Sequence, residues 1–385
     1  MKFKAKFLTV LFALCILVQT SAYGQVLDES YYDSYLGFDE CTIFKEGVAG
    51  VKADDVWILV DKNINLICYN VFERVGVFSE GLAAVKQNGK WGYIDNQGEM
   101  VIDNIYDKAI AFKNGYASVC ISNEWGLIDK NGTVIVPYEY DGVYMWSDGD
   151  VAIVEEDDSF GIFDLQKGTV NFSPEISFNV IAFDEGLAPV ANTQDLLNQK
   201  YGYIDKTGKV VIPKIFSHAN KFSEGLAVVE MNGKCGYINH EGKIVIPCKY
   251  DYADDFSEGF ARVSINEKYG LIDSKGNVVL PLQYEEIGSV NDGSLYFGEN
   301  EKIGFIDTKG NVMVPAIYDA AGKKFNDGLL PIKKDGKFGF VDKQGKVVIP
   351  IIFDIVTEFS EGIAAVKRNG YCGFINTSGH VITAQ

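Results

Sequence analysis

The chain has 385 residues, 13% of them aromatic and 47% hydrophobic, with 40 glycines and only 9 prolines. That much apolar material fills a core and excludes low-complexity disorder and a collagen-like chain. Its 35 basic residues against 53 acidic ones give a formal charge of −18, which argues against nucleic acid or an anionic membrane as partner.

The first segment is expected to lie outside the fold. Lys2, Lys4 and Lys6 precede an apolar run from Phe7 to Val18, and small residues follow as far as Gly24. A basic start, a short apolar stretch and a small-residue exit describe a secretory signal peptide over 1–24, cleaved after Gly24. Phe12-Ala13-Leu14 ahead of Cys15 lacks the small residue that a lipidation site places before its cysteine. No later apolar stretch approaches the roughly 20 residues of a membrane-spanning helix. The mature chain, 25–385, is expected to be a single secreted or periplasmic domain.

From about residue 38 onward the chain repeats. The clearest unit runs Phe78-Ser79-Glu80-Gly81-Leu82-Ala83-Ala84-Val85, then Lys90-Trp91-Gly92-Tyr93-Ile94-Asp95, then Gln97-Gly98 and Met100-Val101-Ile102. The same order returns around Gly126, Gly161, Gly202, Gly236, Gly270, Gly304, Gly339 and Gly373, mostly 34 or 35 residues apart. A worn copy, Val56-Trp57-Ile58-Leu59-Val60-Asp61, lies one step upstream, so nine clear copies follow one degenerate one.

Each copy reads as a three-stranded antiparallel meander. Leu82–Val85 and Trp91–Asp95 flank Asn88-Gly89, a strong hairpin signal. Asp95 to Gly98 is a second turn, with a carboxylate to cap backbone N–H groups and a glycine for positive φ. The third run, Met100–Ile102, ends in proline in later copies, as at Pro213 and Pro350. A connector carrying Tyr-Asp and Phe-x-x-Gly leads to the next copy. No stretch keeps a helical period.

Lys90-Trp91-Gly92-Tyr93-Ile94-Asp95 and Glu124-Trp125-Gly126-Leu127-Ile128-Asp129 resemble the WG-containing repeat family of bacterial proteins, over roughly residues 38–385. The resemblance implies a β-rich repeat array, often exported, and brings no catalytic residue and no defined ligand. Elsewhere the tryptophan slot holds Phe160, Tyr201, Cys235, Tyr269, Ile303, Phe338 and Cys372, which reads as packing.

Meanders of this kind must stack to share a core. Three strands per unit is fewer than the four of a propeller blade, and ten units exceed the usual four to eight. The expected fold is therefore all-β, an open twisted solenoid-like array of these repeats, with a closed propeller-like ring as the alternative. The ends suit closure: the chain stops at Val381-Ile382, mid-unit, while Phe44 to Ala49 supplies the half that the last copy lacks.

Chemistry-bearing constellations are sparse. His218, His240 and His380 lie in different units without a partner at metal-ligand spacing. Cys235 and Cys372 occupy the aromatic slot and Cys68 the position of Ile102, so these read as small buried apolar residues. Cys235 with Cys248 is one pairing the repeat allows. Asp61, Asp95, Asp129, Asp164, Asp205, Asp273, Asp307 and Asp342 recur once per unit, each as a lone turn carboxylate rather than a calcium loop. No triad, phosphate loop or nucleotide fingerprint is present, so no catalytic, cofactor or metal residue is assigned and no enzyme is expected.

Variation concentrates at the hairpin tips and in a five-residue insertion within Ala191–Lys200. Glu155, Glu156, Asp157 and Asp158 form an acidic tip; Lys333, Lys334, Lys367 and Arg368 belong to basic ones. A uniform scaffold with a variable rim presents a recognition surface. The expected function is an exported, non-catalytic scaffold that binds a protein or peptide through this rim. The alternative is a carbohydrate-binding module of the cell envelope or extracellular space.

Overall fold

The computed structural model describes residues 32, 37–145, 149–172, 183–191 and 199–383. Residues 1–24, read above as a signal peptide, and most of the insertion lie outside the described residues. Among the described residues the chain forms ten antiparallel sheets, seven of four strands and three of three, and no helix is long and apolar enough to cross a membrane.

The reference copy shows how each sheet arises. Strands β1 (Glu40–Cys41), β2 (Val48–Ala53) and β3 (Val56–Asp61) form the first sheet. The second sheet is β4 (Arg74–Val75), β5 (Leu82–Gln87), β6 (Lys90–Asp95) and β7 (Met100–Tyr106), hydrogen-bonded in that order. β4 is the difference from the sequence reading. Two connector residues, Arg74 and Val75, pair with Lys86 and Val85, which makes the three-stranded meander a four-stranded sheet. A two-residue strand has no alternation to read, so it is invisible to periodicity.

Between β5 and β6 the chain turns on Asn88 (φ 53°) and Gly89 (φ 79°), the paired positive φ values of a type I′ hairpin. After β6, Asp95 Oδ1 accepts the N–H groups of Gln97 and Glu99 at 3.0 and 2.9 Å. The glycine after the tryptophan has a steric cause. Pairing of β6 with β7 slips in register on both sides of Tyr93, and a Cβ on Gly92 would stand 2.5 Å from the Ile102 carbonyl oxygen. The same clash, at 2.3–2.6 Å from a carbonyl oxygen of the outer strand, recurs at Gly202, Gly236, Gly270 and Gly304. The motif glycine therefore marks a bulge where two backbones touch.

The chain packs as two compact units. One comprises Met1–Asn123, Ile128–Thr133 and Ile317–Gln385, the other Glu124–Leu127 and Val134–Ala316. In the second, neighbouring sheets bury apolar layers such as Val228, Tyr237, Ile246, Phe256, Val263 and Ile272.

The first unit contains both ends of the chain, and they are joined. The last sheet, Ile355–Val356, Ile363–Arg368 and Tyr371–Asn376, lacks a complete outer strand of its own. Its C-terminal Val381 bridges Ile375, the place of Met100 against Ile94. Phe38, from the start of the chain, bridges Cys372, the place of Tyr106 against Trp91. Cys372 N donates to Phe38 O at 2.7 Å, and Phe38 N donates back to Cys372 O at 2.9 Å. One outer strand is thus shared between the two termini. Phe38, Phe44, Val51 and Ile58 from the first sheet and Ile363, Cys372 and Phe374 from the last form one buried cluster. Tyr32 adds a plug: its ring meets Phe353 edge-on at 4.8 Å and its hydroxyl donates to Gly379 O at 2.9 Å.

A disulfide, Cys41–Cys372, links the same two sheets across 331 residues, with the Cα atoms 6.3 Å apart. Cys372 is therefore not the inert slot filler that its position suggested, and Cys235 and Cys248 are free thiols rather than a pair. The open array is corrected as well: its ends meet, as the propeller-like alternative requires. One mistaken premise explains that reading, the connector strand left out of the strand count.

Candidate functional site

Repeat is held to repeat by one recurring carboxylate. In Phe-Ser-Glu-Gly the glutamate takes a left-handed conformation, φ 57° at Glu80, and opens a tight turn closed by Ser79 and Leu82. Its side chain reaches the equivalent turn of the next repeat. Gly81 N donates to Glu46 at 2.7 Å and Gly115 N to Glu80 at 2.8 Å; in the other unit Gly259 N donates to Glu224 at 2.9 Å and Gly293 N to Glu258 at 2.9 Å. Across the chain ends the series continues, Glu361 accepting Glu46 N at 2.6 Å and Gly47 N at 3.0 Å. These acids are structural clamps between successive turns.

The hairpin tips at the other end of β5 and β6 share one frame. The aspartate of the Tyr-Asp connector accepts the first N–H of the tip: Asp141 from Asp157 at 3.0 Å, Asp319 from Asp335 at 2.7 Å and Asp354 from Asn369 at 2.8 Å. On that frame the anticipated rim residues behave differently from one another. Glu156, Asp157, Asp158 and Lys334 are exposed. Glu155 is half-buried and accepts from the Tyr144 hydroxyl at 2.8 Å, and Lys333 lies 5.1 Å over the Phe338 ring. Lys367 donates to Asp39 O at 3.1 Å and so helps hold the chain ends. Arg368 is only 8% exposed and donates from Nη1 to Ile352 O at 2.8 Å, which removes it from the solvent-facing set. The acidic tip belongs to one compact unit and the three lysines to the other.

His218 and His380 are exposed and His240 is half-buried. His240 stacks on Phe222 at 4.3 Å with Nε2 3.1 Å from Glu185, and His218 Nε2 lies 2.9 Å from Asn220. The repeat tyrosine is structural: Tyr93, Tyr203 and Tyr237 are buried and donate to backbone carbonyls at 2.7–2.8 Å, and burial pushes each hydroxyl pKa far up.

Sequence reasoning missed one concavity. Beside the tip of the first sheet a polar pocket of about 450 Å³ lies between the first and second sheets. Trp57 and Trp91, from the same slot of successive repeats, line it together with Val75. Around them stand Arg74, Asp55 and Glu73, and Lys52 in an ion pair with Glu40 at 2.7 Å. Arg74 is exposed and makes no ion pair with the described residues. The recurrence of tryptophan at 57, 91 and 125, and nowhere later in the slot, was the available signal.

These features define a protein assembled from repeated three- and four-stranded antiparallel sheets whose termini are sealed together. The family model described as "WG containing repeat" matches nine segments: 36–57, 69–91, 91–125, 125–159, 201–235, 236–269, 269–298, 303–338 and 338–372. The chain belongs to that family. No curated protein matches it. Among solved structures it is similar to a eukaryotic initiation factor at 12% identity, covering 79% of this chain and 95% of that one, with a TM-score of 0.49. It is also similar to Hsv2 of Kluyveromyces marxianus, at 12% identity over 61% and 91% of the two chains, with a TM-score of 0.37. A third likeness is to dipeptidyl peptidase 4 of Porphyromonas gingivalis, at 10% identity over 86% and 62%, with a TM-score of 0.46.

Proposed function

We propose that this chain is an exported, non-catalytic scaffold, one repeat domain over 25–385, that binds a protein or peptide partner through its hairpin tips. The observation that carries the reading is the contrast between a fixed tip backbone and a changing tip charge. Asp157-Asp158 and Asp335-Gly336 both take paired positive φ under a connector aspartate, yet one tip presents Glu156 and Asp158 and the other Lys334. Side chains free of any structural duty on a rigid frame are what selection for a partner acts on. Export is supported by the basic and apolar start and by the Cys41–Cys372 disulfide, since disulfides persist in oxidising compartments.

The test is paired capture from cell-envelope extract on the immobilised mature chain and on a Glu156→Lys, Asp158→Lys, Lys334→Glu variant. A protein retained by the first and lost from the second, with direct titration confirming the difference, supports the rim. Equal retention on both columns, or none on either, removes it.

A further inference from the structure

We infer that the pocket between Trp57 and Trp91 is a saccharide-binding site, for a neutral oligosaccharide of pyranose rings. The inference is independent of the rim reading, because it uses none of the tip residues named there. Its volume, about 450 Å³, falls in the range of small-molecule sites, but its lining is more polar than theirs usually is. The occupant must therefore be polar at its edge and still match two indoles. A pyranose ring has that division: a face of C–H groups that lies on an aromatic plane, and a girdle of hydroxyls that both donate and accept.

The charged groups fit such a girdle and little else. Glu40, Asp55 and Glu73 supply acceptors while Lys52 and Arg74 supply donors, leaving one excess negative charge. A site so nearly balanced selects neither a strongly anionic nor a strongly cationic ligand. Part of this set is already engaged: Lys52 is bonded to Glu40, and Glu73 accepts Gly89 N at 3.1 Å. Arg74 and Asp55 are the groups with hydrogen-bonding capacity to spare. The platform is built rather than accidental. Gly50 lies under Trp57, where a Cβ would stand 3.2 Å from the indole and 3.3 Å from Val75, so the ring rests on backbone. Trp91 takes the corresponding place one repeat later, paired across the strands with Lys86 as Trp57 is with Lys52. The site thus offers two indoles, one from each of two successive repeats.

The test uses the mature chain in affinity electrophoresis through gels containing laminarin, hydroxyethyl cellulose, xylan, mannan or starch, and tryptophan fluorescence titration with chitohexaose. Binding of at least one of these saccharides is expected. Arg74→Ala and Asp55→Asn, both at exposed positions, should each weaken it at least tenfold with an unchanged thermal midpoint. The Glu156→Lys, Asp158→Lys, Lys334→Glu variant should bind the saccharide as the parent does, which separates this site from the rim. If no saccharide of the panel binds, or if Arg74→Ala and Asp55→Asn bind as tightly as the parent, the assignment is overturned. Retention of a peptide library that Arg74→Ala abolishes, without any saccharide binding, overturns it in favour of a peptide site.

Discussion

Reducing or deleting the Cys41–Cys372 disulfide should strongly destabilise the chain. The bond closes a loop of 331 residues, and the chain-entropy relation gives about 6 kcal/mol for a loop of that length. Other contacts keep part of that loop closed after reduction: the Phe38–Cys372 backbone pair, the Glu361 clamp on Glu46 and Gly47, and the Phe44–Phe374 ring contact at 4.7 Å. The expected loss is therefore about 3–5 kcal/mol, as for removal of native disulfides generally. Guanidinium unfolding followed by fluorescence, with and without dithiothreitol, reads it directly. Cys41 is half-buried beside a pocket of about 220 Å³, so the reductant has access to the bond. Cys41→Ala, Cys372→Ala and the double variant should lose nearly the same amount, because each removes one and the same bond. Single losses that add in the double variant, or a reduced chain within about 1 kcal/mol of the oxidised one, would refute the closure argument.

Three further outcomes follow from the repeat geometry. Gly92→Ala forces a Cβ to 2.5 Å from Ile102 O and should cost about 3 kcal/mol, whereas Gly115→Ala meets open space at φ 84° and should cost about 1 kcal/mol; urea midpoints separate the two. Burial pushes the Glu80 and Glu361 carboxyls up, but the amides and lysines they bind, Gly115 with Lys130 and Lys62 with Gly47 and Glu46, hold both below the usual range. A depressed folded value means that stability is complete above the unfolded pKa, about 4.3, and drains away as the pH falls through the folded one. Glu361→Gln should cost about 1.5 kcal/mol at neutral pH and flatten that acid limb in urea titrations. Pro281→Val restores a backbone donor to an exposed outer strand and should leave the unfolding midpoint in place while promoting concentration-dependent association, read by light scattering.

What the sequence disclosed was local. Asn88-Gly89, Asp95 to Gly98 and the slot before Gly92 encode their own φ values or their own apolar side, so the turns and three of every four strands were readable. The missing strand, Arg74–Val75, is held by long-range pairing to Lys86 and Val85 and has no local signature. Cys372 was misread because its slot was judged by what fills it in other repeats, while its partner Cys41 lies 331 residues away. Arg368 was placed on the rim by charge alone. It sits at the end of its strand opposite Tyr371, and the Ile352 carbonyl satisfies its guanidinium below the surface. The pocket of Trp57 and Arg74 needed two sheets side by side, which spacing suggests but does not establish.

The edges of these sheets bear on where a partner can engage. Each outer strand exposes apolar side chains, Val211 at 43%, Ile215 at 54% and Val278 at 55%, in a geometry that would invite another strand to pair. The sequence blocks it. Pro213, Pro247, Pro281, Pro315 and Pro350 occupy one equivalent position of successive outer strands, and Asp103 takes that position in β7. Proline withholds the donor and aspartate adds a charge, two established ways of closing a sheet edge. Strand addition along the outer edge is thereby disfavoured in repeat after repeat, and the Ser-Glu-Gly turns at one end are committed to the carboxylate clamps. Glu156, Asp158 and Lys334 at the tips, and the tryptophan pocket, lie away from both the closed outer edges and the clamped turns, which is where the proposed recognition is placed.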